Sequence, residues 1–141
     1  MCEYPEFEEL IVEADIDRLP EVQAFVDGLL EEADCPIKTQ FVIDIAVEEM
    51  YANIAHYAYQ GEKGEARILA RICSEPRALE IVLIDKGIPY DPLKKEDPDV
   101  TLAAEDRPIG GLGIFMVKKS MDEMFYEYKD GQNITTMKKL F

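Results

Sequence analysis

The chain has 141 residues, and its 30 acidic and 15 basic side chains give a formal net charge of −15. Such a charge repels nucleic acid and anionic lipid, and no apolar run approaches the roughly 20 residues needed to cross a membrane. The length fits a single domain, residues 1–141. Three widely spaced cysteines, Cys2, Cys35 and Cys73, favour a reduced, cytoplasmic protein without a disulfide framework or a zinc site.

The first half of the chain predicts one strand followed by two helices. Residues 7–14 predict the strand. Asp17 is expected to cap a helix over 17–33, and Pro20 is tolerated in the first turn of that helix. A second helix is expected over 36–59, because a proline is well suited to a helix start.

The second half predicts four strands and one further helix. The strands are expected at 66–73, 79–84, 124–129 and 132–140, and the helix at 112–121. Asp130 and Gly131 separate the last two strands, which is a strong signal for a two-residue hairpin. The connection 86–109 contains four prolines, and connections of that length are usually functional lids or disordered. This order predicts an α+β fold, with the helices on one face of a mostly antiparallel sheet.

The second helix contains polar side chains in line with residues that look like core. At helical spacing, Glu49, Asn53 and His56 fall on one side, whereas Asp44 and Glu48 fall on a side predicted to be solvated. Burying a carboxylate or an amide is costly unless the group finds a partner, so these three polar side chains on one inward side favour a shared ligand. A second exposed stripe and a satisfied core network stay open as alternatives, and His56 by itself is more often structural.

Asp85 follows a run of residues that is apolar enough to be an interior strand. A carboxylate at the end of a buried strand can accept a hydrogen bond from an amine, such as the exocyclic amine of adenine. Gly87 follows two residues later and would let a flat ring approach the backbone. A plain strand-to-loop turn is the alternative, since Asp and Gly are common turn residues.

The segment Gly110, Gly111, Leu112 and Gly113 leads into the third predicted helix. Free N–H groups and the helix dipole at such a start favour an anion, typically phosphate. The motif is weak by itself, because glycines occur in many turns. Neither a Walker A pattern nor the protein-kinase motifs occur in the sequence, so a nucleotide bound here would be held by other residues.

Together these segments resemble the three sequence boxes of the GHKL (Bergerat) ATPase superfamily. The N box is residues 49–53, the G1 box is Asp85-x-Gly87-x-Pro89, and the G2 box is Gly110, Gly111, Leu112 and Gly113. Within the superfamily, residues 46–59, 85–92 and 110–114 resemble the bacterial anti-sigma factor serine kinases of partner-switching systems. The resemblance implies a two-layer α/β sandwich with a mixed, mostly antiparallel sheet, helices on one face, and an ATP lid at about 86–109.

The resemblance also implies that ATP and Mg²⁺ are the ligands and assigns roles to individual residues. Asn53 would coordinate Mg²⁺, and Glu49 would be the general base that takes the proton of a substrate serine. Asp85 would read adenine with Gly87 beneath it, and Gly111 and Gly113 would hold the phosphates. The expected nucleotide-binding residues are Asn53, Asp85, Gly87, Pro89, Gly110, Gly111, Leu112 and Gly113.

Members of the resembled family hold a sigma factor inactive and phosphorylate a serine on an antagonist of the STAS fold. The resemblance therefore implies these two partners and a possible homodimer. A basic lid residue often lies near the γ-phosphate, and Arg107 is the nearest candidate. A non-catalytic, ATP-gated binding module and an acidic interaction domain without nucleotide are the alternatives. The charge of −15 would attract a basic partner or simply maintain solubility.

Overall fold

A computed structural model describes residues 5–94 and 111–141. This part of the chain forms a five-stranded sheet with three α-helices. The strands are β1 (Glu8–Glu13), β2 (Glu65–Cys73), β3 (Ala78–Asp85), β4 (Glu123–Lys129) and β5 (Gln132–Leu140). The helices are α1 (Leu19–Glu32), α2 (Ile37–Asn53) and α3 (Gly111–Ser120). The α+β prediction is therefore confirmed.

The strands are arranged in the order β1-β2-β3-β5-β4, and every pairing in the described sheet is antiparallel. The central strand β3 ends at Asp85, which pairs with Ala66 on one side and Asn133 on the other. Asp130 and Gly131 both have positive φ, +53° and +76°. That backbone geometry matches the right-handed twist of the flanking strands, so the hairpin prediction is confirmed.

One face of the sheet packs against the helices to form the core. Successive side chains of a strand point to opposite faces, so every second residue of β2 faces the helices. Residues spaced four apart on α1 form the matching helical stripe. The buried residues from these elements are Ala66, Ile68 and Ala70 of β2, Val22, Val26 and Leu30 of α1, and Ile43, Ala46 and Val47 of α2.

The start of α1 differs from the prediction that Asp17 caps it. No side chain caps α1, whose N-cap position is Arg18; Asp15 instead caps the 3₁₀ turn before it, because its Oδ1 accepts a hydrogen bond of 2.9 Å from the Asp17 N–H. Asp15 has an extended backbone, and a 3₁₀ turn, Ile16–Arg18, connects it to α1. The proline in the first turn of α1 is placed as predicted, where its missing N–H is tolerated.

The predicted side assignment of Asp44 on α2 is wrong. Asp44 is half-buried between α1 and α2, and burial, together with the hydrogen bond and the charge of Asp27 on α1, raises the pKa of Asp44. Glu48 is exposed, as predicted. A helical projection gives the angle of a side chain about the axis, but it does not show which neighbouring element covers that angle.

The C-terminal ends of α2 and β3 meet at one end of the sheet. The Ile88 N–H donates a 2.9 Å hydrogen bond to the carbonyl of Ala58, a few residues after α2 ends. At the opposite end, Arg77 donates to the carbonyl of Ala33, shortly before α2 begins. Helix α2 therefore follows the sheet from the start of β3 to its end. No helix in the described ranges has the length and apolarity required to cross a membrane.

Candidate functional site

A pocket lies where the ends of α2 and β3 converge. Its polar lining consists of Asn53, Asp85, Asn133 and Thr135, which come from three different elements. The rest of the lining is apolar or aromatic: Met50, Ile54, Tyr57, Ala58, Leu83, Ile88, Tyr90 and Pro92. Mostly apolar walls with a few convergent polar groups are typical of a small-molecule site.

Asp85 is the buried acid of this pocket, with only 6% of its surface exposed. Its Oδ1 accepts hydrogen bonds of 2.9 Å from the Gly87 N–H and from Asn133 Nδ2. Burial raises the pKa of Asp85, whereas these two hydrogen bonds oppose the rise. Both described donors use Oδ1, so Oδ2 is the oxygen that can accept a hydrogen bond from a ligand.

Asn133 is a site residue that the sequence analysis missed. Its Nδ2 also donates to the Ile88 carbonyl at 2.8 Å, and its Oδ1 accepts from the Tyr90 N–H at 3.1 Å and from the Tyr126 hydroxyl. The Asn133 side chain thus holds the Asp85 carboxylate in place and also anchors the loop that follows β3. Its position opposite Asp85 in the β3–β5 register is the signal that could have identified it.

Thr135 is the second missed residue, and it follows Asn133 by two positions on β5. Residues two apart on a strand point to the same face, so both side chains reach the pocket. Thr135 is buried, and its hydroxyl is a polar group beside an otherwise apolar wall. The β-rich pattern of 132–140 predicted the strand, but it did not indicate which strand would lie beside Asp85.

Gly87 packs directly against the segment that follows α2. A Cβ placed on Gly87 would overlap the Ala58 carbonyl and lie 2.6 Å from the Ala58 Cβ. Only a residue without a side chain therefore allows the loop after β3 to approach this backbone. Pro89 lines a neighbouring, more open depression with Gly87 and Tyr128, rather than the pocket that contains Asp85.

Glu49 lies one helical turn before Asn53 and meets the start of α3. It is half-buried, and a Cβ on Gly113 would overlap its Oε2 and lie 2.9 Å from its Cδ. Gly111 and Leu112 form the first turn of α3, immediately before this contact. The N box and the start of α3 are therefore adjacent, and Asn53 connects that junction to the pocket containing Asp85.

His56 does not belong to the polar stripe that was predicted for α2. It is exposed, because the chain forms a π-helical turn, Ile54–Ala58, instead of continuing the α-helix to residue 59. A π-helical turn is wider and rotates fewer degrees per residue, which moves His56 away from the side of Glu49 and Asn53. Gly110, Arg107 and the part of the predicted lid at 95–109 lie outside the described residues.

The fold and the convergence of these segments define an ATPase domain of the GHKL type. Residues 12–139 match the model of the family described as the histidine kinase-like ATPase domain. The chain therefore belongs to the histidine kinase-like ATPase domain family. The match covers nearly the whole chain, from the end of β1 to the end of β5.

Curated relatives connect the chain to one branch of that family. It is 31% identical over 101 residues to the serine-protein kinase RsbW of Bacillus pumilus, covering 68% of this chain and 62% of the relative. It is 29% identical over 98 residues to the serine-protein kinase RsbW of Bacillus thuringiensis subsp. konkukian, covering 67% and 60%. The chain thus spans about 60% of the length of these relatives. The resemblance to the anti-sigma factor kinases is confirmed.

A solved structure supports the fold. The crystal structure of the RsbU and RsbW domains of a Mycobacterium tuberculosis protein superposes with a TM-score of 0.64 at 17% identity. The superposition covers 94% of this chain and 32% of that chain. At this identity the similarity concerns the arrangement of helices and strands only.

Proposed function

We propose that this chain is a cytoplasmic, ATP-dependent protein serine kinase that sequesters a sigma factor and phosphorylates a serine of a STAS-domain antagonist. One observation carries the proposal: Asn53 and Asp85, which are 32 positions apart in the sequence, line one pocket. Glu49 of α2 lies one helical turn before Asn53 and packs against the first turn of α3. The curated relatives named serine-protein kinases support this reaction type.

Adenine would bind in the pocket between the end of β3 and the end of α2. Oδ2 of Asp85 would accept a hydrogen bond from the exocyclic amine, because Oδ1 already accepts two hydrogen bonds. Asn133 would hold the carboxylate in that orientation. Apolar side chains such as Ile54 and Leu83 would cover the faces of the ring and exclude water from it.

The phosphates would lie between α2 and the first turn of α3. Unpaired N–H groups at a helix start and the positive end of the helix dipole favour anionic oxygens. Gly111 and Gly113 would leave that backbone accessible, and Gly113 already contacts Glu49 closely.

Mg²⁺ fits a site with few protein ligands. Among residues 5–94 and 111–141, no group of three or more His, Cys, Asp or Glu side chains could hold a metal by itself. Mg²⁺ keeps several waters and takes phosphate oxygens, so one amide oxygen from Asn53 is a sufficient protein contribution. When bound, the ion would neutralise negative charge on the phosphates.

Glu49 would act as the general base for the transfer step. Its carboxylate would accept the proton of the substrate serine hydroxyl as the serine oxygen bonds to the γ-phosphorus of ATP. The bond from that phosphorus to the bridging oxygen would break, and the electron pair would leave with ADP. Phosphoserine and ADP are then the products, and the proton resides on Glu49 until solvent removes it.

A phosphoryl-transfer assay tests the proposal directly. The chain is incubated with [γ-³²P]ATP, Mg²⁺ and purified STAS-domain proteins from the same organism, and the labelled residue is identified by mass spectrometry. We expect labelled serine with the parent chain and a loss of at least 100-fold with Glu49→Gln, since a general base contributes about 10²–10⁴-fold. Calorimetry with Mg·ATP should give binding for Glu49→Gln and none for Asp85→Asn.

Different outcomes separate this proposal from its alternatives. Tight ATP binding without any labelled product would favour a non-catalytic, ATP-gated binding module. The absence of binding heat with the parent chain would favour an acidic interaction domain without nucleotide. A pull-down with and without ATP, read by mass spectrometry, identifies the sigma factor, and light scattering shows whether the chain forms a homodimer.

A further inference from the structure

The outer face of α2 presents large apolar side chains to solvent. Ile37, Phe41 and Ile45 are 82%, 66% and 40% exposed, and they follow one another at intervals of four residues. Side chains at that spacing are neighbours on a helix surface. They therefore form one continuous apolar strip, although the opposite side of α2 already supplies the core.

Helix α3 extends this strip. Its first turn lies near the end of α2, because Gly113 packs against Glu49. After α3 ends, the Asp122 N–H donates at 2.9 Å to the carbonyl of Lys138, which pairs with β3 near its beginning. The two helices therefore run in opposite directions.

Met116 follows Gly113 by three positions on α3 and is 53% exposed. Gly113 packs against Glu49. Because the helices are antiparallel, Met116, one turn after Gly113, lies at the level of Ile45, one turn before Glu49. We call Ile37, Phe41, Ile45 and Met116 the α2–α3 stripe. The stripe ends one helical turn from the Glu49 carboxylate.

We propose that the α2–α3 stripe is the docking surface for the protein substrate that carries the acceptor serine. This inference rests on the proposed function, in which Glu49 accepts the proton of that serine. A folded protein that brings a hydroxyl to Glu49 must also cover the surface around it. The backbone of α3 at Gly113 lies on one side of Glu49, and Asn53 lies on the side of the nucleotide pocket. Within the described ranges, the stripe is an apolar surface that adjoins the reacting group on the helices themselves.

The size and the charge of the surface favour a protein substrate over a second copy of the chain. A stable interface buries about 800 Å² on each partner, with about 20–30 residues a side, which is far more than four side chains provide. Two copies would also bring together two net charges of −15. A transient encounter between an enzyme and its substrate needs only a few apolar anchors.

Phe41→Asp tests the proposal, with Phe125→Asp as the matched control. Phe125 is 58% exposed on β4 and pairs with Thr136, on the sheet face away from the helices. The assay measures kcat and KM for the STAS-domain protein that the parent chain phosphorylates, together with ATP affinity and the melting temperature. We expect Phe41→Asp to raise KM about tenfold or more, as loss of a central apolar anchor does. We expect kcat and ATP affinity to stay within about twofold of the parent values, and Phe125→Asp to behave like the parent chain.

An unchanged KM for Phe41→Asp would overturn the proposal, and so would an equal rise in KM for Phe125→Asp. A change in oligomeric state on light scattering, without a change in KM, would assign the stripe to a second copy. If Phe41→Asp does not fold, Phe41→Ala replaces it, with a smaller expected rise in KM.

Failure of the proposed function is distinguished by a direct binding measurement. If the parent chain transfers no phosphate, calorimetry of the same STAS-domain proteins with the same variants still tests the stripe. Binding that Phe41→Asp weakens and Phe125→Asp does not would support the docking surface without the kinase reaction. No binding by the parent chain, or equal binding by all variants, would overturn it.

Discussion

Two carboxylates face each other between α1 and α2, and they make the stability of the fold dependent on pH. Asp27 and Asp44 each have a buried Oδ1 that receives no hydrogen bond from any other group in the described residues. A proton shared by the two side chains is therefore the one available donor. Burial, the contact with Asp27 and the charge of Glu31 raise the pKa of Asp44 to about 7.

The sign and the size of the effect follow from this pKa. An unfolded aspartate has a pKa of about 3.9, so between about pH 4 and pH 7 the folded chain binds more protons than the unfolded chain. The free energy of unfolding therefore decreases as the pH rises through this window. A full rise in the pKa of Asp44 to about 7 would change the free energy of unfolding by about 4 kcal/mol across this window. The pair is partly exposed, and solvent screening reduces the expected change to about 1–2 kcal/mol.

The substitution Asp44→Asn removes the titrating charge and keeps a donor for Asp27. Near pH 5 the amide replaces the shared proton, so the variant and the parent chain should be equally stable within about 0.5 kcal/mol. At pH 8 the parent chain has two facing carboxylates, and the variant should be more stable by about 1–2 kcal/mol. Urea denaturation monitored by circular dichroism at pH 5, 6, 7 and 8 measures this difference.

A control separates the pair from the general effect of net charge. Glu48→Gln also removes one negative charge from α2, but Glu48 is exposed and lies outside the pair. Its effect should be small and nearly constant between pH 5 and pH 8. If the gain from Asp44→Asn were equally large at both pH values, or if Glu48→Gln reproduced it, the shared proton would not be the source of the pH dependence.

Three further substitutions test the construction of the site. Gly87→Ala should destabilise the fold by about 1–3 kcal/mol and weaken ATP binding, because its Cβ would overlap the Ala58 backbone, which has little freedom to move. Gly113→Ala should lower phosphoryl transfer about 100-fold with a smaller effect on ATP affinity, because the new Cβ displaces the flexible Glu49 carboxylate. Asn133→Ala should lower the free energy of unfolding by about 1–3 kcal/mol and weaken ATP binding, because it leaves buried polar groups without partners.

Gly28→Ala is the control for both glycine substitutions. A Cβ at Gly28, within α1, meets nothing within 4 Å, so the exchange should be neutral or stabilising by about 0.5–1 kcal/mol. Parent-like ATP binding and stability for Gly87→Ala would contradict the close approach described for that residue. Transfer by Gly113→Ala at the parent rate would show that the position of the Glu49 carboxylate does not limit the reaction. Calorimetry, urea denaturation and the transfer assay provide these readouts.

Local sequence rules determined the features that depend on neighbouring residues. The Asp130-Gly131 turn forms as predicted, because two residues with positive φ suffice to reverse the chain between strands. Strand β5 has the predicted bounds, and α1 lies within the predicted range 17–33. The three boxes were identified in the same way, since each is a short run with fixed spacing.

Only the tertiary structure decided which groups meet. Asn133 became a site residue because antiparallel pairing places it opposite Asp85, 48 positions earlier in the chain. Asp44 became a half-buried acid because α1 covers it with Asp27, and His56 turned outward because a π-helical turn, Ile54–Ala58, follows the end of α2. A propensity or a periodicity describes the geometry of one element about its own axis. The partner of a side chain depends on elements that pack there from distant parts of the sequence, and no local pattern contains that information.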